Sequence, residues 1–182
     1  MSEKFNLKEK LFKTRQLVIC SEINQEVAKK FTQEILALEA EDDKKDIILF
    51  INSQGGHVEA GDTIHDLIKF VKPTVKVIGT GWVASAGTHI YLAAKKENRY
   101  CLPNTRFLIH QPLGGTRGSA SDIHIQAEQI IKMRERLAKV ISDATGTKIS
   151  KVREDIDRDY WMTTEEAKDY GIVSEVIATR KF

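Results

Sequence analysis

The stretch that decides the fold is VKVIGTGWVASAGTHIYLAA, which runs from Val75 to Ala94. Its first residues are mostly β-branched and lie between Pro73 and Gly79, a pattern typical of a strand buried on both faces. Beyond the glycines the apolar pattern restarts as a helix, and a single serine, Ser85, lies at the corner. The stretch therefore predicts a buried strand, a tight turn and a helix.

Ser85 has two interpretations at this corner. A serine at a tight strand-to-helix turn exposes its hydroxyl, and the N–H groups that begin the helix can stabilise an oxyanion, so Ser85 is a candidate nucleophile. A serine before a helix is also a common N-cap, which accepts a hydrogen bond from the helix backbone. The small neighbours Ala84, Ala86 and Gly87 fit either interpretation.

The composition indicates which partners are absent. The chain of 182 residues has 28 Lys and Arg against 26 Asp and Glu, a net charge of +2, and the two signs are interspersed. Such a sequence has no tract for nucleic acid or for a membrane surface. Apolar runs such as Ile47–Ile51 are too short to cross a bilayer, and the N-terminus is charged. We therefore expect a soluble, cytoplasmic protein.

The two cysteines predict neither a disulfide nor a metal site. Cys20 and Cys101 lie in strand-like apolar runs and lack the spacing of metal ligands. In a reducing compartment such residues are most often buried free thiols, which is what we expect of both.

Strands alternate with helices along the chain, without internal repeats or linkers, which predicts a single α/β domain over residues 1–182 with several parallel strands. Residues 1–14 are polar and rich in lysine, with Phe5 among few apolar anchors, and are predicted to form a loosely held arm. The longest helical pattern is Ala120–Ala144, which ends at a glycine. Other strands are predicted at Gln16–Cys20, Asp46–Ile51, Asn98–Leu102, Arg106–His110 and Ile172–Ala178, and other helices after Asn24, at Val58–Phe70, at Ser150–Asp157 and after Thr163.

Three further segments carry groups that a nucleophilic serine needs. Ser53–Gly56 places two glycines directly after a strand, where the backbone can approach a substrate carbonyl, although an ordinary turn has the same pattern. His110 ends an apolar strand, as core histidines often do, and Asp159 lies in a charged run typical of a solvated surface. Together with Ser85 they supply a triad, in which an imidazole takes the hydroxyl proton and a carboxylate orients the imidazole.

Four motifs are more specific than these single signals: INSQGG at Ile51–Gly56, GWVASAGT at Gly81–Thr88, LPNTRFLIHQPLGG at Leu102–Gly115 and DRDYWMTTEEAKDYGIV at Asp157–Val173. In this order they resemble the proteolytic subunits of the Clp (caseinolytic) protease, a family of self-compartmentalising serine peptidases. The resemblance covers nearly everything from Leu11 onwards. It implies the α/β fold shared by that family and the crotonases, with repeated β-β-α units and a protruding handle helix in the region of residues 111–145.

The resemblance also implies roles for particular residues. Ser85 corresponds to the nucleophile, His110 to the general base and Asp159 to the acid that orients it. The backbone N–H groups of Gly56 and Ala86 correspond to the oxyanion hole. No metal takes part in this chemistry.

The same resemblance implies an assembly. The handle helix would interlock two stacked seven-membered rings, and Arg158 corresponds to an arginine that pairs across the ring interface. Substrates would be peptides and unfolded proteins, delivered by an AAA+ Clp ATPase, so that ATP is used by the partner and this chain needs no cofactor. A paralogous proteolytic subunit is a further partner to consider. The N-terminal arm is shorter than is usual in the family, from which we expect a shortened axial segment.

Two other functions stay open from the sequence. A catalytically weak or non-catalytic ring partner of a paralogous subunit would fit the unusual pocket residues Gln54, Ala86 and Thr88, although the complete set of Ser85, His110 and Asp159 argues against it. An acyl-CoA hydratase or isomerase would share the fold and a two-loop oxyanion hole, but it would use a carboxylate in place of the triad. The remaining histidines are interpreted as surface or packing residues: His57, His65, His89 and His124.

Overall fold

The computed structural model of the protein describes residues 6–181 and contains a seven-stranded sheet. The strands are β1 (Gln16–Ile19), β2 (Ile47–Ser53), β3 (Val75–Ala84), β4 (Arg99–Cys101), β5 (Arg106–Ile109), β6 (Tyr160–Met162) and β7 (Glu175–Val176). The helices are α1 (Leu7–Lys13), α2 (Gln25–Glu41), α3 (Val58–Phe70), α4 (Ala86–Tyr91), α5 (Ala120–Thr145), α6 (Ile149–Asp155) and α7 (Thr164–Tyr170), with a short 3-10 helix at Lys96–Asn98.

The central strand β3 is longer than predicted and joins two parts of the sheet. Strands β1, β2, β3, β4 and β7 are parallel neighbours in that order. The first half of β3 pairs with β4, and its second half, from Trp82 to Ala84, pairs with β5. Ser85 follows the end of β3 and His110 follows the end of β5, so the pairing of these two strands brings the two residues close together.

Strand β6 is the clearest departure from the predicted strands. It pairs antiparallel with β5, from Ile109 opposite Tyr160 to Phe107 opposite Met162. The sequence indicated only a solvated charged run here, because the charged residues form the loop before β6 and the strand itself has three residues. The last predicted strand is also shorter than expected, since β7 has two residues.

Most predicted helix ends are confirmed. Asn24 caps α2 by accepting a hydrogen bond from Val27 N–H, and Thr163 with Glu166 forms a capping box at α7. Gly146 and Gly171 end α5 and α7 with positive φ angles of 83° and 90°.

Helix α5 protrudes over most of its length. Its buried residues, Ala138, Ile141 and Thr145, all lie near its C-terminal end, whereas Ile123 and Ile131 are exposed. This agrees with the handle helix that the resemblance implies.

Two expectations are corrected at the edge of the fold. Residues 7–13 form helix α1 and not a loose arm, with Asn6 as its N-cap, while the predicted anchor Phe5 lies outside the described residues. Cys101 is a buried thiol as predicted, but Cys20 is exposed because it follows the edge strand β1. Within residues 6–181, no helix is long and apolar enough to cross a membrane.

Candidate active site

Ser85 lies between β3 and α4 in an unusual backbone conformation. Its φ is 55° and its ψ is −121°, and its N–H donates to Leu108 O at 3.0 Å. Ser85 occupies the N-cap position of α4, where its C=O accepts from His89 N–H, but its hydroxyl makes no capping hydrogen bond, so the interpretation that the side chain caps the helix is wrong. A non-glycine residue held at positive φ costs on the order of 1–3 kcal/mol and persists only where its surroundings impose it.

The surroundings of Ser85 impose this conformation from two sides. Gly55 packs so closely that an added β-carbon would lie 2.6 Å from Ser85 Cβ and 2.8 Å from Ala84 O. On the other side, the buried hydroxyl of Thr88 lies 2.7 Å from Val83 O and 2.8 Å from Leu108 O. The corner is therefore fixed by the β2–α3 loop, by β5 and by the first turn of α4.

The structure brings the three predicted triad residues together. His110 Nε2 lies 2.8 Å from Ser85 Oγ, and His110 Nδ1 lies 2.9 Å from Asp159 Oδ1. The imidazole is mostly buried, with 14% of its side chain exposed, whereas the Asp159 side chain is 63% exposed. The set has the connectivity that lets a histidine accept the hydroxyl proton while a carboxylate holds its other nitrogen.

The loop that carries Asp159 is held by Gln111 and Arg134, two residues for which the motifs predict no role. Gln111 binds it twice: its backbone N–H donates to Ile156 O at 2.6 Å and its side-chain Nε2 donates to Asp157 O at 2.8 Å. Arg134 of α5 donates to Asp157 Oδ1 at 3.1 Å. The position of Gln111 directly after His110 is the only sequence signal that could have indicated this.

The two predicted oxyanion donors adjoin the serine corner in different ways: Ala86 follows Ser85 in the chain, and Gly56 follows Gly55, which packs against Ser85. Ala86 is the first residue of α4, so its N–H has no acceptor within the helix. Gly56 forms a parallel bridge with Ile23. The two hydrogen bonds of this bridge run from Ile23 N–H to Gly55 O and from His57 N–H to Ile23 O. In such a bridge the N–H of the central residue faces away from its partner, so Gly56 presents its N–H on the side opposite Ile23.

Arg158, the predicted interface residue, is exposed beside Asp159. Within the described chain it has no carboxylate within 4.0 Å. Residues 6–181 contain no group of three or more His, Cys, Asp or Glu side chains that could hold a metal ion.

A pocket opens next to the serine. It is lined by Ser85 and His110, by Ala86 and His89 of α4, and by Leu137 of α5. A half-buried serine hydroxyl with a basic partner, a free helix-start N–H beside it and an adjoining pocket form an arrangement that suits acyl transfer to serine.

A model of the family described as Clp protease matches residues 1–180. The chain belongs to the Clp protease family. It is 59% identical over 170 residues to the ATP-dependent Clp protease proteolytic subunit 3 of Rhizobium etli, covering 93% of this chain and 87% of that protein. It is 61% identical over 169 residues to subunit 3 of Rhizobium meliloti, covering 93% and 86%.

Solved structures agree with this membership. ClpP1 from Listeria monocytogenes superposes with a TM-score of 0.87 at 55% identity, covering 96% of this chain and 98% of that one. A point mutant of the same protein gives a TM-score of 0.90 at 56% identity, with the same coverage. The predicted Clp protease fold and serine peptidase class are confirmed, and the acyl-CoA hydratase or isomerase alternative is set aside.

Proposed function

We propose that this Clp protease family member is a serine endopeptidase whose nucleophile is Ser85, with His110 as general base and Asp159 as the acid that orients it. The observation that carries the proposal is the continuous chain of contacts from Asp159 through His110 to Ser85 Oγ, at 2.9 and 2.8 Å. The substrates are peptides and unfolded proteins. No cofactor takes part.

The geometry supports a two-step reaction. Ser85 Oγ attacks the peptide carbonyl while His110 Nε2 takes its proton, and the N–H groups of Gly56 and Ala86 stabilise the resulting oxyanion. His110 then gives the proton to the leaving amine, which forms the acyl-serine. A water molecule, deprotonated by His110, hydrolyses this ester and restores Ser85.

We further propose that the chain is one peptidase domain, which works in two stacked seven-membered rings served by an AAA+ Clp ATPase. Residues 111–145 would be the handle region between the rings, and the exposed isoleucines of α5 support this contact. The exposed Arg158, which lacks a carboxylate partner within its own described chain, would pair across the ring interface. A paralogous subunit could share these rings.

The test is labelling with a fluorophosphonate, which forms a stable bond only with an activated serine hydroxyl. We expect the assembled protein to be labelled at Ser85, as located by peptide mass spectrometry, and to cleave a fluorogenic peptide. Labelling and cleavage should disappear in Ser85→Ala and in His110→Ala. Ser150→Ala, which removes an exposed serine of α6, should keep both. If the assembled native protein is neither labelled nor active, it is a non-catalytic ring partner.

A further inference from the structure

A buried carboxylate at the end of α6 lies just before the loop that carries the triad acid. The side chain of Asp155 is only 4% exposed, and two groups hold it. One carboxylate oxygen accepts a hydrogen bond from the hydroxyl of Tyr170, in α7, at 2.9 Å. The other forms an ion pair with Lys151, one turn earlier in α6. Because a buried carboxylate is costly unless it is paired and hydrogen-bonded, these two partners fix the end of α6.

The hydroxyl of Tyr170 is a permanent donor in this contact. Burial, and then the hydrogen bond to Asp155, raise the pKa of Tyr170 well above its ordinary value. The hydroxyl therefore keeps its proton at neutral pH. In this way Tyr170 ties the last turn of α7 to the last turn of α6.

The same two partners also support the residue that follows the triad acid. The ring of Tyr160 lies against that of Tyr170, with centroids 5.9 Å apart, and Lys151 Nζ lies 5.8 Å from the centroid of the Tyr160 ring. Both separations are within the range of aromatic and cation–π contacts. The loop of residues 156–159 is therefore held at both ends by one group of side chains. We call this group the loop anchor: Lys151, Asp155, Tyr160 and Tyr170.

The backbone of Tyr160 decides where the triad acid lies. Tyr160 pairs antiparallel with Ile109. Because the two strands run in opposite directions, Asp159 and His110 are the next two residues to face each other. The Asp159 side chain is 63% exposed, so packing around its carboxylate contributes little to its position. A shift of Tyr160 would therefore move Asp159 Oδ1 away from His110 Nδ1, which lies 2.9 Å from it.

We propose that the loop anchor positions the triad acid: it keeps the two ends of the loop of residues 156–159 together, so that Asp159 stays in contact with His110. Its members act through Asp159 and take no part in the chemistry. This inference deepens the proposed function and rests on it.

The experiment removes the hydroxyl of Tyr170. A misplacement of 1 Å can cost on the order of 100-fold in rate, and Lys151 still holds Asp155 in this variant, so we expect kcat for a fluorogenic peptide to fall about tenfold in assembled Tyr170→Phe. KM should change by less than about twofold, because the loop anchor does not line the pocket beside the serine. Tyr91→Phe is the matched control. It removes the hydroxyl of a buried tyrosine, which donates to Tyr100 O at 2.8 Å, and should keep the native kcat.

A double-mutant cycle separates positioning from a general effect on folding. If Tyr170 acts through the triad acid, its removal should cost less than about twofold in kcat when Asp159 is already asparagine. A role confined to stability would lower kcat by the same factor in both backgrounds. Lys151→Met removes the half-exposed cation and keeps the apolar stem. It should lower kcat by about threefold, less than Tyr170→Phe does, and show the same dependence on Asp159.

Two results would overturn the inference. One is a native kcat in assembled Tyr170→Phe, and the other is an undiminished loss in the Asp159→Asn background. If Tyr170→Phe does not assemble, Lys151→Met decides by the same two criteria. Fluorophosphonate labelling separates this failure from that of the proposed function. Labelled, active native protein with an unaffected variant refutes only the loop anchor, whereas unlabelled, inactive native protein refutes the triad and the loop anchor with it.

Discussion

Replacing Asp159 by asparagine measures how much the carboxylate contributes to the triad. In the well-studied serine protease triad, where this aspartate is buried, the same change costs on the order of ten-thousand-fold in turnover. Here the Asp159 side chain is 63% exposed, so water already weakens its interaction with an imidazolium. A hydrogen bond to a charged group contributes roughly 1.5–3 kcal/mol, which corresponds to about 10- to 150-fold in rate. We expect kcat/KM to fall about 100-fold in Asp159→Asn.

The loss should come from the chemistry and not from folding. Asparagine nearly matches aspartate in shape, but its amide can donate to His110 Nδ1 and so favour the tautomer that cannot accept the serine proton. Since the side chain is exposed, the free energy of unfolding should change by less than about 0.5 kcal/mol. Thermal unfolding of the purified variant checks this directly.

Asp157→Asn is the matched control for this change. Asp157 lies two residues before Asp159 in the same loop and is similarly exposed, but its carboxylate binds Arg134 and not His110. Peptide cleavage by both variants should be compared after sizing shows the same assembly as the native protein. The reasoning is refuted if Asp159→Asn retains native activity, or if Asp157→Asn loses as much as Asp159→Asn.

Three further predictions concern buried groups. Thr88→Val removes a buried hydroxyl that binds two carbonyls, so chemical denaturation should show a loss of about 1–3 kcal/mol; no loss would mean that the hydroxyl is dispensable. The native protein should give one fast thiol reaction per chain, at the exposed Cys20, because Cys101 is buried and burial raises its pKa to about 12; two fast thiols would contradict this. Because the pKa of His65 is lowered from 6.5 to about 4, the unfolded chain binds its proton first, and stability should fall as the pH drops through that window. His65→Gln should show a smaller fall over the same range, and an equal fall would refute the assignment.

The parts of the site that could be predicted are those with local causes. The β-branched run of β3, the glycines after it and the apolar start of α4 act over neighbouring residues, so the strand, the corner and the helix follow from the sequence. His110 was recognisable through the motif LPNTRFLIHQPLGG, since a histidine that ends an apolar strand is by itself typical of a core residue. Asp159 was recognisable only through the motif around it, since the charged residues near it are typical of a surface.

The parts that could not be predicted depend on partners far apart in the sequence. The positive φ of Ser85 depends on Gly55 in one loop and on Leu108 in another strand, and neither contact leaves a pattern around the serine. His65 and His89 become a buried pair only because α3 and α4 pack together. A histidine on an amphipathic helix has no feature that distinguishes this outcome from a surface position.

One turn of α5 contacts both sides of the site. The guanidinium of Arg134 lies 3.1 Å from the carboxylate of Asp157, in the loop that carries the triad acid. Two residues later, Arg136 lies 2.7 Å from Asp62, whose other oxygen is close to His89 of the pocket wall. Leu137, which follows, lines the pocket itself. Each of these ion pairs is partly exposed and contributes only about 0–1 kcal/mol, so they position the site without locking it. If the exposed part of α5 forms the proposed contact between rings, a shift of this helix would move the triad acid and the pocket wall together. The triad acid and the pocket would then respond together to assembly, because the same helical turn supports both.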